Sequence, residues 1–173
     1  MINNPFAARK AEVIIGIDPD CDKSGYARLD KVNNTLTLGY YTFVELIRQL
    51  IKDRDECKER EWVVIVEAGY LETRTQHHYS GDNPRVAARV GQKVGRNHET
   101  ARKILELCEG LDLPCQEGKP LVKIWGKSHK DKISAMEFNA LTGYTKRTNQ
   151  EVRDAALLAW VAAGRSTNLD MRK

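Results

Sequence analysis

The sequence predicts one mixed-sheet α/β domain with the element order βββαβαβαα. Two observations carry this prediction: three short strand-like runs open the chain, and helical and strand-like runs alternate after them. The chain has 173 residues, 41% of them hydrophobic and 30% charged, which suits a single domain with a sizeable core. We therefore predict one domain over residues 1–173, with loose ends at about 1–10 and 165–173.

Each predicted element follows from a local pattern. Apolar runs of alternating or β-branched residues bounded by turn residues predict strands, and apolar residues at helical spacing predict helices. The predicted strands are 13–18, 26–30, 35–42, 62–67 and a short one near 121–125. Four helices are predicted. The first begins at 43, the second runs from Pro84 to Gly110, the third covers about Ile133 to Leu141, and the last runs from about 149 to 163.

Composition excludes several classes of protein. No apolar run approaches the roughly 20 residues that span a bilayer, and the start MINNPFAARKAEV lacks the apolar core of a signal peptide. We expect a cytoplasmic protein with no membrane partner. The four cysteines form no CxxC pair, so reduced thiols are expected. A net charge of +4 is compatible with a polyanionic partner.

Two carboxylates stand at the ends of predicted buried strands. Asp18 ends the run VIIGID and Glu67 ends WVVIVE. Strand ends are where α/β folds usually bind ligands, and neither strand needs a carboxylate for packing. A turn or helix cap is the alternative for each residue taken alone.

A second pair of carboxylates opens the last predicted helix. Glu151 and Asp154 are three residues apart, so they face the same way, and Asp154 leads into an apolar stretch where an unpaired charge is costly. Acidic residues in a first turn also complement the helix dipole, which is the alternative. Four carboxylates together suit Mg²⁺, because two-metal phosphoryl-transfer sites need three or four of them.

Basic residues are concentrated in two segments. On the long helix Arg85, Arg89 and Arg96 fall on one stripe, and residues 85–103 hold six Lys or Arg against one acid. Residues 119–132 are denser still, with five lysines against one acid: Lys119, Lys123, Lys127, Lys130 and Lys132. Both segments suit contacts to a phosphate backbone, while an ordinary solvated face is the alternative.

Five motifs, in this order, resemble a known family. They are IIGIDPDCDKSGYA (14–27), VVIVEAGYLE (63–72), VGRNHETARKI (94–104), PLVKIWGKSHKDK (120–132) and NQEVRDAALLAW (149–160). The sequence resembles the RuvC-type Holliday-junction resolvases of the RNase H-like (retroviral integrase) superfamily, particularly their phage and mobile-element branch. The resemblance implies an RNase H-like five-stranded sheet with helices on both faces.

The resemblance also implies roles for particular residues. Family members place metal-binding acids at the positions of Asp18, Glu67, Glu151 and Asp154, which would hold two Mg²⁺ ions, with Mn²⁺ as the alternative. Lys132 resembles the lysine near the scissile phosphate, and Lys123 resembles one on the preceding strand. Tyr70 matches an aromatic that stacks on junction bases, with Tyr79 as the second choice. A homodimer that cuts a four-way junction symmetrically is implied as well.

Two departures and two rival functions accompany this interpretation. Asp20 replaces the glycine usual after the Asp-Pro pair, and Glu151 replaces the family's His or Asp. The adjacent His77 and His78 are interpreted as surface residues. The rivals are a catalytically silent nucleic-acid-binding module and an actin-like ATPase, the latter suggested only by GIDPD and disfavoured because the chain is too short for a second domain.

Overall fold

The computed structural model describes residues 5–72, 83–122, 124–126 and 131–167. Its core is one five-stranded sheet of order β3-β2-β1-β4-β5. The strands are β1 (Val13–Asp18), β2 (Ser24–Asp30), β3 (Thr35–Tyr41), β4 (Trp62–Glu67) and β5 (Cys115–Gly118). The helices are α1 (Pro5–Lys10), α2 (Phe43–Glu56), α3 (Pro84–Gly110), α4 (Ala135–Thr142) and α5 (Gln150–Ala162), with a short 3-10 turn at Gly69–Leu71.

The sheet is mixed, as the sequence predicts. Strands β1, β2 and β3 form an antiparallel meander, whereas β1, β4 and β5 run parallel. After α1 the element order is βββαβαβαα, so the predicted α/β fold class is confirmed. The parallel pairs require crossovers, and α2 and α3 supply them.

Each face of the sheet carries its own hydrophobic core. Alternate residues of the strands face opposite ways, so Ile14 and Ile65 pack under α4 and α5, while Ile15 and Val64 pack under α2 and α3. Trp160 of α5 is buried in the first of these cores. The sheet is thus covered on both faces, which is why β1 and β4 read as nearly continuous apolar runs.

The helix boundaries follow from local capping. Thr42 and Glu45 form a reciprocal capping box at the start of α2, and Ser134 and Glu137 form another at α4. Asn149 caps α5 by accepting a hydrogen bond from the backbone N–H of Val152 at 3.0 Å. These caps fix the entry points of three of the helices.

Two predicted elements are wrong in detail. The fifth strand is Cys115–Gly118, not a strand near 121–125. CQEG has weak strand propensity, and pairing with β4 fixes it as an edge strand. The apolar residues after it line a cleft instead, and Val122 is 80% exposed. Helix α4 begins at Ala135 rather than around Ile133; its buried residues are Phe138 and Leu141, whereas the apolar Met136 is 83% exposed.

The described residues near each end of the chain pack against the rest of the fold. Residues 5–10 form α1, and its Ala8 is buried against the core under α5. Beyond α5, the Arg165 guanidinium lies 4.5 Å from the Trp160 ring centroid. All four cysteines are free thiols. In the described part of the chain, no helix is both long enough and apolar enough to cross a bilayer.

Candidate active site

Asp18 and Glu67 lie side by side at one edge of the sheet. They are the last residues of the parallel neighbours β1 and β4, one position beyond the registered pair Ile17–Val66. Both fall on the face covered by α5, because side chains alternate along each strand. The structure therefore brings together the two strand-end carboxylates that the sequence analysis singled out.

Helix α5 brings the other two carboxylates to the same edge. It lies directly on the sheet at two glycines: a Cβ at Gly25 would overlap the backbone carbonyl of Glu151, and one at Gly16 would overlap that of Ala155. Gly25 is the partner of Asp18 across β1 and β2. The first turn of α5, with Glu151 and Asp154, is thereby seated beside Asp18.

Lys132 supplies a positive charge among these carboxylates. Its Nζ donates a hydrogen bond of 2.6 Å to Asp154 Oδ2, while Gln150 Nε2 donates one of 2.7 Å to Asp154 Oδ1. Burial opposes the charge of Lys132, but the hydrogen bond and charge of Asp154 hold the lysine pKa above its ordinary value. The predicted catalytic lysine therefore sits in the acidic cluster.

The position of Asp18 in the cluster strongly perturbs the pKa of its carboxyl group. Burial raises its pKa well above the ordinary 3.8, and the charges of Glu67 and Asp154 raise it further. Lys132 acts in the opposite direction. Ionising Asp18 is costly unless a cation binds beside it, because burial and the neighbouring negative charges both disfavour the carboxylate form.

The carboxylates line a cavity of about 430 Å³. Lys93 and Val94 of α3 form part of one wall, and Leu121 and Val122 form part of another. The donor set fits a hard divalent cation, since the four groups offer only carboxylate oxygens and their charge exceeds that of Lys132. Asp18, Glu67, Glu151 and Asp154 are the residues that would hold such an ion.

The turn after β1 holds a separate acidic group. Asp20, Cys21 and Asp22 each offer one possible metal-ligand atom, and these three atoms lie within 4.8 Å of one another. Among the described residues, this is the group of acidic, Cys or His side chains that meets that spacing. Asp20 Oδ2 is 3.4 Å from Lys93 Nζ and accepts a 3.3 Å hydrogen bond from Asn97 Nδ2. Asp20 lines the same cavity, and its nearest counter-charge is this α3 lysine.

The predicted phosphate contacts divide into two groups. Arg85 and Arg89 are exposed on the first turns of α3, and Arg96 lies 3.9 Å from Asp22 while remaining exposed. The structure therefore presents the predicted stripe to solvent beside the cavity wall. Other predicted residues lie outside the described part of the chain: Lys123, Lys127, Lys130, Tyr79, His77 and His78.

Tyr70 follows Glu67 in the 3-10 turn and is held by three contacts. Its hydroxyl donates to Glu117 of β5, its ring meets the His98 ring edge-on, and the Arg102 guanidinium lies 4.5 Å from its centroid. Burial and then Glu117 raise the pKa of Tyr70 to about 12. These contacts anchor the loop after β4, and stacking of Tyr70 on DNA stays a prediction.

Several residues of the site escaped the sequence analysis. Lys93 and Asn97 hold the turn after β1, Gln150 orients Asp154, and Tyr40 of β3 stands at the same sheet edge. The i, i+4 spacing of Lys93 and Asn97 was visible as part of a polar helix face, but nothing local indicated a partner at Asp20.

Comparisons with known proteins give structural neighbours only. No family model matches the chain, and no curated protein matches it. Among solved structures, the fold is similar to T. thermophilus RuvC in complex with a Holliday junction substrate, at 17% identity over 86% of this chain and 90% of that chain, with a TM-score of 0.49. It is also similar to the fowlpox virus Holliday junction resolvase, at 15% identity over 88% of this chain and 98% of that chain, with a TM-score of 0.44.

Proposed function

We propose that this chain is a metal-dependent, structure-selective DNA endonuclease that resolves four-way junctions. The observation that carries the proposal is the meeting of four carboxylates and one lysine at one edge of the sheet. These residues come from β1, β4, α5 and the segment before α4, and all five line one cavity. They occupy the positions in the five motifs to which the sequence resemblance assigns catalytic roles.

The reaction is hydrolysis of a phosphodiester bond, in which water adds to phosphorus and the 3′ oxygen leaves. The four carboxylates would hold two Mg²⁺ ions, or Mn²⁺ in their place, and the bound metal would supply Lewis-acid stabilisation of the charge that develops in the reaction. Asp18 and Glu67 offer ligands from rigid strands, and Glu151 and Asp154 offer them from the first turn of α5. The fixed spacing of strand and helix would set where the scissile phosphate sits.

Lys132 has a distinct part in this proposal. Its ammonium group lies in the cluster and hydrogen-bonds Asp154, so it can turn to the phosphate when other cations neutralise that carboxylate. A lysine there would stabilise the negative charge that develops on the non-bridging oxygens. Lys132 thus balances the acids in the free protein and would act on the substrate in the complex.

Binding of branched DNA would use the exposed face of α3 and the lysine-rich segment 119–132. Arg85 and Arg89 are exposed on the first turns of α3, where they would meet the phosphates of a bound duplex. We further propose a homodimer, because two symmetric strands must be cut. The phage or mobile-element branch stays a prediction.

A cleavage assay tests the function directly. Labelled four-way, forked and linear DNAs are incubated with the purified chain in Mg²⁺, Mn²⁺ or EDTA, and the positions of nicks are mapped. We expect paired symmetric nicks in the four-way junction with a divalent ion and none in EDTA. Cleavage of linear DNA at the same rate would contradict structure selectivity.

Matched Asp-to-Asn variants separate catalysis from binding. Asp18→Asn and Asp154→Asn should abolish cleavage while leaving junction affinity nearly unchanged, because the basic residues remain. Asp55→Asn is the control, since Asp55 lies on α2 over the opposite face of the sheet. A junction-binding protein with no cleavage under any ion would instead identify the silent binding module.

A further inference from the structure

Tyr40 stands in line with the acidic cluster across the sheet. In β3 it is the register partner of Gly25, which is itself the partner of Asp18. Directly opposed residues of antiparallel strands share a face, so Tyr40 and Asp18 both lie on the α5 side. Two inter-strand spacings of about 4.8 Å separate them, which places Tyr40 about 10 Å from Asp18.

The ring of Tyr40 is uncovered for a reason visible in the packing. Leu36 and Leu38 lie on the same face of β3 and pack against the core under α5. Helix α5 begins at Gln150, above Gly25, and runs from there away from the end of the sheet at which Tyr40 and Asp18 lie. Tyr40 is therefore 40% exposed while the two leucines before it on that face are half-buried.

The charges around Tyr40 suit a nucleotide. Lys23 Nζ lies 5.8 Å from the ring centroid. Slight burial and then the charges of Glu151 and Asp20 raise the pKa of the Tyr40 hydroxyl. An aromatic face next to a lysine offers a stacking surface for a base and a cation for its phosphate.

We infer that Tyr40 and Lys23 form a subsite for one unpaired nucleotide, with the base stacked on Tyr40 and a phosphate at Lys23. This inference rests on the proposed nuclease function and deepens it. Because Tyr40 and Asp18 are only about two inter-strand spacings apart, the stacked base is expected within a few nucleotides of the phosphate that is cut.

A purely structural role on β3 is the competing explanation. β3 is an edge strand of the sheet, and the Tyr40 ring would then only cover neighbouring apolar surface. Leucine would serve that purpose as well as tyrosine, whereas only an aromatic ring supports stacking. Tyr40→Leu and Tyr40→Phe therefore separate the two explanations.

The test uses 2-aminopurine, a base whose fluorescence falls on stacking. Short single strands, and four-way junctions with the probe placed one to four nucleotides from the cut, are titrated with the protein in EDTA. Wild type and Tyr40→Phe should quench the probe most strongly at one of these positions. Tyr40→Leu should lose that quenching and bind single strands roughly 5- to 150-fold more weakly, the equivalent of 1–3 kcal/mol per stacked base.

Two further variants sharpen the result. Lys23→Ala should weaken binding and lower the salt dependence while the quenching at saturating protein persists. Val32→Ala, at an exposed apolar position in the turn between β2 and β3, should behave as wild type. Equal quenching and equal affinity for Tyr40→Leu and wild type would overturn the subsite.

The subsite and the nuclease function fail in different ways. Quenching that depends on Tyr40, in a protein that cuts no DNA, would support the subsite and contradict the nuclease. Cleavage of junctions, together with quenching that is the same in wild type and Tyr40→Leu, would support the nuclease and contradict the subsite. A wild-type protein that binds neither single strands nor junctions would contradict both.

Discussion

Replacing Gly25 by alanine should separate α5 from the sheet and disable the site. The new Cβ would overlap the Glu151 carbonyl and lie 3.0 Å from the Val152 nitrogen. Non-bonded heavy atoms settle at about 3.5–4.0 Å, so the start of α5 must retreat by on the order of 1 Å. Overpacking of this kind costs about 1–3 kcal/mol of unfolding free energy.

The effect on activity should exceed the effect on folding. A displacement of about 1 Å in a catalytic group costs on the order of 100-fold in rate, and here it moves Glu151 and Asp154 away from Asp18 and Glu67. Urea unfolding followed by circular dichroism measures the first effect, and single-turnover cleavage of a four-way junction measures the second. Both are determined on the same preparation.

Gly91→Ala provides the matched control. A Cβ at this position of α3 meets nothing within 4 Å, and alanine is the better helix former by about 1 kcal/mol. This variant should be slightly more stable than wild type and equally active. If Gly25→Ala matches wild type in both stability and cleavage rate, the seating of α5 on Gly25 does not position the acids.

Three further predictions concern charge and the Tyr70 loop. The raised pKa of Asp18 means that the metal-free folded state binds more protons than the unfolded chain, so its stability should fall as pH rises from about 3.8 through that raised pKa. Asp18→Asn should remove this pH-dependent part of the stability. The unfolding free energies of wild type and Asp18→Asn, measured across that pH range, should therefore change differently with pH, and identical pH profiles would refute the prediction. Arg85→Ala with Arg89→Ala should weaken junction binding and lower the slope of log affinity against log salt by about 0.9 for each phosphate that the protein no longer neutralises, and an unchanged slope would show that this stripe touches no phosphate. Tyr70→Phe removes only the hydrogen bond to Glu117 and should lower the unfolding free energy by about 1 kcal/mol. If the Tyr70 ring also stacks on DNA, Tyr70→Ala should reduce cleavage of an intact junction more than cleavage of a junction already unpaired at its centre. An equal decrease on both substrates would show that Tyr70 only anchors its loop.

Local patterns predicted the strand ends well because strand length and residue alternation are local properties. The ends of β1 and β4 at Asp18 and Glu67 agree with the prediction, as do the bounds of α3. The fifth strand failed because Cys115–Gly118 owes its conformation to pairing with β4. Its own residues have little preference for a strand.

The contacts that complete the site could not be predicted because they join distant parts of the chain. Lys132 and Asp154 are 22 residues apart, and Asn97 and Asp20 are 77 apart. Tyr40 alternates with Leu36 and Leu38, a spacing typical of a core-facing residue. It is nevertheless exposed, because α5 begins above Gly25 and does not cover the Tyr40 ring.

The attachment of α3 to the turn after β1 has a mechanical consequence. Lys93 and Asn97 bind Asp20, and the backbone N–H of Cys21 donates to Asn97 Oδ1 at 3.1 Å. Helix α3 has 27 residues and is about 40 Å long, and its first turns are exposed. A duplex bound to these first turns would displace α3, and the contacts of α3 with Asp20 would pass that displacement to the backbone two residues beyond Asp18. We therefore expect the angle at which DNA crosses α3 to be sensed at the cutting site.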